Sequence, residues 1–214
     1  MTPEELRATG QSLEFTETGH EHLWQKLAES DPEIIARRAE ASLAGERDFQ
    51  IKMLGADYLF ETGPRRVTGP SDRLRPDKRV VLCLLNYLNG ARETGLTGRM
   101  GPETVLPGGE RFFSGGHALS RRPLLDAYGR DGAAMLEKAR RLGGEAVEGA
   151  PGTYSFRLSL LPKIPVQVTL CQEDEEFPAE VYYAFDSSAA DHVPLGIVSA
   201  LVGLLNDQLA VLAD

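Results

Sequence analysis

His117 closes the run Phe112-Phe113-Ser114-Gly115-Gly116-His117, and Arg121 and Arg122 follow it by about one helical turn. An imidazole in that setting can cap a helix, act as a general base or serve as an axial ligand, because its proton affinity lies near neutrality. Capping or packing is the plainer reading. The other unusual stretch is Glu173-Asp174-Glu175-Glu176, with Glu180, Asp186 and Asp191 after it and no base between. Adjacent carboxylates repel one another unless cations or hydrogen-bond donors oppose them. Calcium loops alternate their ligands and place a glycine sixth, and this run does neither. Asp186 and the Asp191-His192 pair could add ligands from the same edge. The plainer role of Asp186-Ser187-Ser188 is a turn and helix cap. These residues suggest two walls of one polar cleft: His117, Arg121 and Arg122 facing Asp174, Glu175, Glu176 and Asp186. A cleft of both signs suits a zwitterionic or metal-bearing ligand, and it requires the acidic loop and the His117 segment to be neighbours.

Other motifs carry less. His20 and His22 point about 200° apart on a helix, so they do not share a metal easily. The pairs Gly108-Gly109 and Gly115-Gly116 lack the strand-to-helix context of a phosphate loop, and GxGxxG, GxxxxGK[ST], HExxH, GxSxG and CxxC are all missing.

The elements that must position these residues follow from periodicity. Residues 19–44 read as two helices divided at Asp31-Pro32. Phe49–Leu54 and Ala56–Glu61 read as a hairpin hinged at Gly55. The Gly-, Pro- and Arg-rich stretch 63–77 reads as a loop. Pro76 then opens a helix burying Val80, Val81, Leu84, Leu85 and Leu88. Residues 93–116 read as irregular structure around one short strand at Arg111–Phe113. Helices are expected over 118–128 and 132–142. Three strands then alternate: Tyr154, Phe156, Leu158 and Leu160; Val166, Val168 and Leu170; Val181, Tyr183 and Phe185. A last helix carries Ile197, Val198, Leu201, Leu204, Leu205, Leu209 and Leu212 on one face. The expected class is α+β: an antiparallel sheet, built from the hairpin and a three-strand meander, packed against helices that include the C-terminal one. Its core layer would hold Phe156, Leu158, Val168, Val181, Tyr183, Leu201 and Leu205. Residues 1–47 would form an N-terminal helical segment and 48–214 a single α+β domain.

The composition limits the function. The chain has 214 residues, 42% of them apolar, and a formal charge of −9, with a mildly basic middle between two acidic ends. That balance suits a folded protein and disfavours a nucleic-acid partner. No basic and apolar leader opens the sequence, and the longest apolar run, Val193–Leu205, is too short to span a membrane. Cys83 and Cys171 are expected to be buried free thiols of a cytoplasmic protein, and two cysteines cannot hold an iron–sulfur cluster within the chain.

Several of these stretches also resemble one family. They are Leu54-Gly55 ahead of Tyr58, Leu106-Pro107-Gly108-Gly109, Leu142-Gly143-Gly144, Leu161-Pro162 with Ile164-Pro165, and Asp174-Glu175-Glu176-Phe177-Pro178-Ala179 followed by Phe185-Asp186. The resemblance is to a domain family of unknown function from anaerobic bacteria and archaea, and it runs from about residue 48 to 212. Some members are fused to a small four-cysteine iron–sulfur module, which this chain lacks. The resemblance implies a cytoplasmic protein near anaerobic cofactor or one-carbon metabolism, and no catalytic residue. The leading expectation is an accessory protein that binds a small ligand or cofactor in a mixed-charge cleft, with the cofactor itself unspecified. A metal-assisted hydrolase or tetrapyrrole-modifying enzyme is the second expectation, and a protein–protein interaction module the third.

Overall fold

The computed structural model describes residues 1–210, so the predicted stripe residue Leu212 lies outside the described residues. The chain opens with α1 (Pro3–Thr9), started by a Thr2/Glu5 capping box, and β1 (Gln11–Glu14). α2 (Glu21–Glu29) and α3 (Pro32–Ala39) follow. The Asp31 carboxylate accepts from the Glu33 and Ile34 N–H groups, so the Asp31-Pro32 pair divides the two helices as expected. β2 (Ser42–Leu43), β3 (Asp48–Met53), β4 (Ala56–Glu61) and β5 (Arg66–Gly69) complete a first sheet of order β1-β5-β4-β3-β2, antiparallel throughout. The segment expected to be helical, 1–47, therefore also supplies both edge strands of this sheet. The stretch 63–77 is not all loop, because β5 lies within it.

α4 (Lys78–Gly90) starts where the Asp77 carboxylate accepts from the Val80 N–H, and it buries Val80, Val81, Leu84, Leu85 and Leu88. β6 (Met100–Gly101) comes next, then a 3-10 turn at Glu103–Val105 and the single turn α5 (Gly109–Phe112). Where a strand was expected at Arg111–Phe113, the chain is helical. Gly108 turns it at φ +76°, and a Cβ on Gly109 would lie 2.1 Å from the Glu103 carbonyl oxygen. A second 3-10 turn, Gly115–His117, leads to α6 (Arg122–Tyr128) and α7 (Gly132–Arg141). β7 (Glu145–Val147), β8 (Thr153–Leu161), β9 (Ile164–Cys171) and β10 (Glu180–Asp186) form the second antiparallel sheet, in order β6-β10-β9-β8-β7. α8 (Ala189–His192) and α9 (Leu195–Ala210) end the described chain.

The α+β class holds, with the C-terminal helix inside it. The hairpin and the meander, however, belong to separate sheets. The tip of the hairpin joins them: the Leu54 N–H donates to the Leu160 carbonyl at 3.1 Å. Leu54 and Gly55 both take positive φ, 48° and 75°, as a two-residue turn between right-twisted strands requires. Only glycine fits second, because a Cβ on Gly55 would sit 1.8 Å from the Leu142 carbonyl oxygen.

The predicted core layer is in place, with Phe156, Leu158, Val168, Val181, Tyr183, Leu201 and Leu205 all buried. α9 does more than cover the second sheet. It packs against α4, α6, α7 and β8. Its buried Asn206 accepts from the Tyr183 hydroxyl and donates to the Ser120 carbonyl, both at 2.8 Å. A helix enclosed on several sides is buried around more of its circumference, which is why Val202, outside the expected stripe, is buried as well.

The two cysteines differ, against the expectation that both are buried. Both are free, but only Cys83 is buried, and burial pushes its thiol up to about 12. Cys171 is half-buried and lines a cavity of about 310 Å³ with Gly152, Asp174, Phe177 and Glu180. Iodoacetamide should therefore label one thiol in the folded protein and two after denaturation. Cys171→Ser should remove the native labelling. Equal native labelling at both positions would mean that α4 opens readily.

Candidate functional site

The structure does not join the seven expected residues into one cleft. Asp186 is 1% exposed, and its carboxylate accepts from the Thr97 N–H and hydroxyl, the Gly98 N–H, and the Ser188 N–H and hydroxyl, at 2.6 to 3.1 Å. Burial alone would raise its pKa, but the Ser188 and Thr97 donors outweigh burial and hold the carboxyl well below the usual range. This carboxylate ties the 97–98 segment to the end of β10. The acidic loop precedes the start of that strand. A seven-residue strand rising about 3.3 Å per residue puts the two roughly 20 Å apart.

Within the loop, Asp174 accepts from the Glu176 and Phe177 N–H groups at 2.8 Å, which holds its carboxyl below the ordinary range. Glu173 pairs with Arg130 at 2.5 Å. Donors of the loop's own backbone and one arginine thus relieve the crowding of acids. Glu175 and Glu176 are exposed. On the supposed basic side, His117 is exposed and stacks on Phe112, with ring centroids 4.7 Å apart. Arg122 pairs with Asp126 on its own helix. Arg121 acts as an internal strut, donating to the Val181 and Leu119 carbonyls and to Glu103 at 2.7 Å, with its guanidinium over the Tyr183 ring. Among the described residues, no hydrogen bond or ion pair joins His117, Arg121 or Arg122 to the acidic loop or to Asp186.

A different place has the shape of a site. One face of α2, carrying Glu21, Trp24, Gln25 and Ala28, looks across a cleft of about 600 Å³ at residues 46–48 and at the β4–β5 turn, 62–65. Trp24, the only tryptophan, is 3% exposed and stacks on Phe60 of β4, with centroids 5.1 Å apart. The Arg65 guanidinium lies 5.5 Å from the Trp24 ring centroid. That distance is within the range of a cation–π contact. Arg65 takes φ +51°, an uncommon conformation for a side chain larger than Asn. The position is fixed by the Phe15 N–H donating to the Arg65 carbonyl at 2.8 Å and the Arg65 N–H donating to the Thr62 carbonyl. The Trp24 Nε1 has no hydrogen-bond partner.

Most other polar groups of the cleft are already engaged. Thr62 donates its hydroxyl to the Arg47 carbonyl and its N–H to Asp48. Arg47 donates to the Ser30 carbonyl, and Asp48 pairs with Arg7. Glu21 accepts from the Gly19 N–H; its own N–H and that of Gly19 hold its carboxyl below the ordinary range. Arg65 has no carboxylate within ion-pair distance, and Glu46 is exposed without a cation partner, among the described residues.

A second polar cluster is closed. Lys163, in the β8–β9 turn, is 4% exposed and donates from Nζ to the Arg92 carbonyl at 2.7 Å. The Arg92 N–H donates to His192 Nδ1 at 3.3 Å, so one residue is gripped at both backbone groups. The Tyr87 hydroxyl accepts from the Lys163 N–H and donates to the Ala39 carbonyl. Burial, followed by the Lys163 charge, lowers the His192 pKa. This cluster fastens the ends of α3 and α4 to the second sheet.

Sequence reasoning missed Trp24, Arg65, Lys163 and Tyr87 as site or anchor residues. A lone tryptophan followed after forty residues by an arginine in a turn makes no motif. The family model described as "Domain of unknown function (DUF3786)" matches residues 31–207. No curated protein and no solved structure matches the chain. The turn walls of the cleft lie inside the matched stretch, whereas its α2 wall precedes it.

Proposed function

The chain belongs to this family of unknown function, and from that premise we propose that it is an accessory protein that binds a small molecule in the α2 cleft. The observation that carries this reading is Arg65, a cation held beside the only tryptophan, with no ion pair among the described residues and its charge felt across the cleft by the Glu21 carboxylate. A residue fixed in the left-handed region at the wall of a cavity is the kind of strain that persists where the side chain has work to do. A volume of about 600 Å³ suits a small ligand. Binding is favoured over turnover because the hydroxyl lining the cleft, that of Thr62, is spent on a backbone carbonyl and has no histidine beside it. Among the described residues, no three histidine, cysteine or acidic side chains gather at one point.

Trp24 makes the reading measurable. Excitation at 295 nm reports on this cleft alone, since no other tryptophan exists. Compounds from a small-molecule library that shift Trp24 emission in the native protein should lose affinity at least tenfold in Arg65→Asn. Asparagine tolerates the left-handed conformation, so that variant should keep its stability within about 1 kcal/mol. A ligand that binds both proteins equally would place the site elsewhere.

A further inference from the structure

We infer that the ligand of the α2 cleft is a small zwitterion with an apolar body, an inference that rests on the binding role proposed for that cleft. Five ionic side chains line it: Glu21, Glu46, Arg47, Asp48 and Arg65. Asp48 pairs with Arg7, Arg47 donates to the Ser30 carbonyl, and Glu21 accepts from the Gly19 N–H. Arg65 and Glu46 remain without an ion pair among the described residues, one of each sign, although Glu21 also keeps its charge and feels that of Arg65. Trp24, Ala28 and Pro64 supply the apolar lining. A guanidinium offers parallel donors that match the two oxygens of a carboxylate. A side-chain carboxylate accepts from an ammonium. A purely anionic ligand would satisfy Arg65 and place its charge against an acidic rim, while a purely cationic one would leave the guanidinium unpaired. Only a molecule carrying both groups answers both side chains.

The test uses two matched sets of probes, read by Trp24 emission on the full-length protein. One is phenylalanine, 3-phenylpropionate and 2-phenylethylamine; the other is leucine, 4-methylpentanoate and isoamylamine. Within at least one set, the amino acid should bind about tenfold more tightly than either single-charge analogue. Arg65→Asn should reduce the amino acid to the level of its amine, and Glu46→Gln should reduce it to the level of its acid. A carboxylate that binds as tightly as its amino acid would overturn the zwitterion while leaving the cleft as an anion site. An amine that binds most tightly would overturn it in favour of a cation site. If all six fail while library compounds still shift Trp24 in an Arg65-dependent manner, the ligand class is wrong and the cleft stands. If nothing shifts Trp24 through Arg65, the binding role itself falls.

Discussion

Replacing Asp186 by alanine is expected to destabilise the protein by about 3–5 kcal/mol, as when one partner of a buried charge network is removed. The substitution leaves the N–H groups of Thr97, Gly98 and Ser188 without their acceptor. At a position 1% exposed, water does not replace it. Urea unfolding followed by circular dichroism measures the loss, and a change below about 1 kcal/mol would mean that the 97–99 segment finds other acceptors. The proton linkage has a definite sign. The folded carboxyl ionises below its unfolded value, so its contribution is complete above about pH 4 and is lost as the pH falls from there. The stability gap between the native protein and Asp186→Asn should therefore narrow on acidification below about pH 4 and stay level above it.

Leu201→Ala is the second large change, expected to lose about 2–5 kcal/mol through lost burial and the cavity left behind. Leu201 is fully buried on α9, the helix against which α4, α6, α7 and β8 all pack, so collapse around the missing side chain is restrained on several sides. Leu201→Met keeps the volume and should lose less than about 1.5 kcal/mol. A loss below about 0.5 kcal/mol for the alanine variant, in the same urea titration, would mean that α9 faces solvent or a partner.

Elements with a clear period were legible. The meander strands alternate over seven to nine residues, and their buried faces match the expected ones except at Tyr154, which is half-buried beside a buried Ser155. β5 was not legible, because four residues among glycine, proline and arginine show no alternation. It exists because β4 and β1 offer hydrogen bonds on either side. The separation into two sheets was equally hidden, since periodicity tells which face a strand buries and not which strand it joins.

The site was less legible for a related reason. Charge density drew attention to Glu173–Glu176 and Arg121-Arg122, but crowded charges are a local property and their partners are set by topology. Arg121 found Glu103, a nearly buried carboxylate eighteen residues back, and the acidic loop found its own backbone. Arg65 lies in the Arg-rich stretch before α4, where Arg66 pairs with Glu61, Lys78 with Glu17 and Arg79 with Asp207. Only the folded structure separates a cation without an ion pair from those that are matched.

The first thirty residues, which precede the stretch matched by the family model, also determine how the protein behaves among its own copies. β1 occupies the outer side of β5, pairing Gln11 with Gly69 through Glu14 with Arg66, and the buried Leu6 of α1 holds that end of the chain in place. Without them, β5 would present a row of unpaired N–H and C=O groups along its outer edge. Such a row is a ready template for a strand from another molecule. A piece cut at residue 31 would thus be prone to self-association, and the short N-terminal strand reads as the chain's own stopper against it.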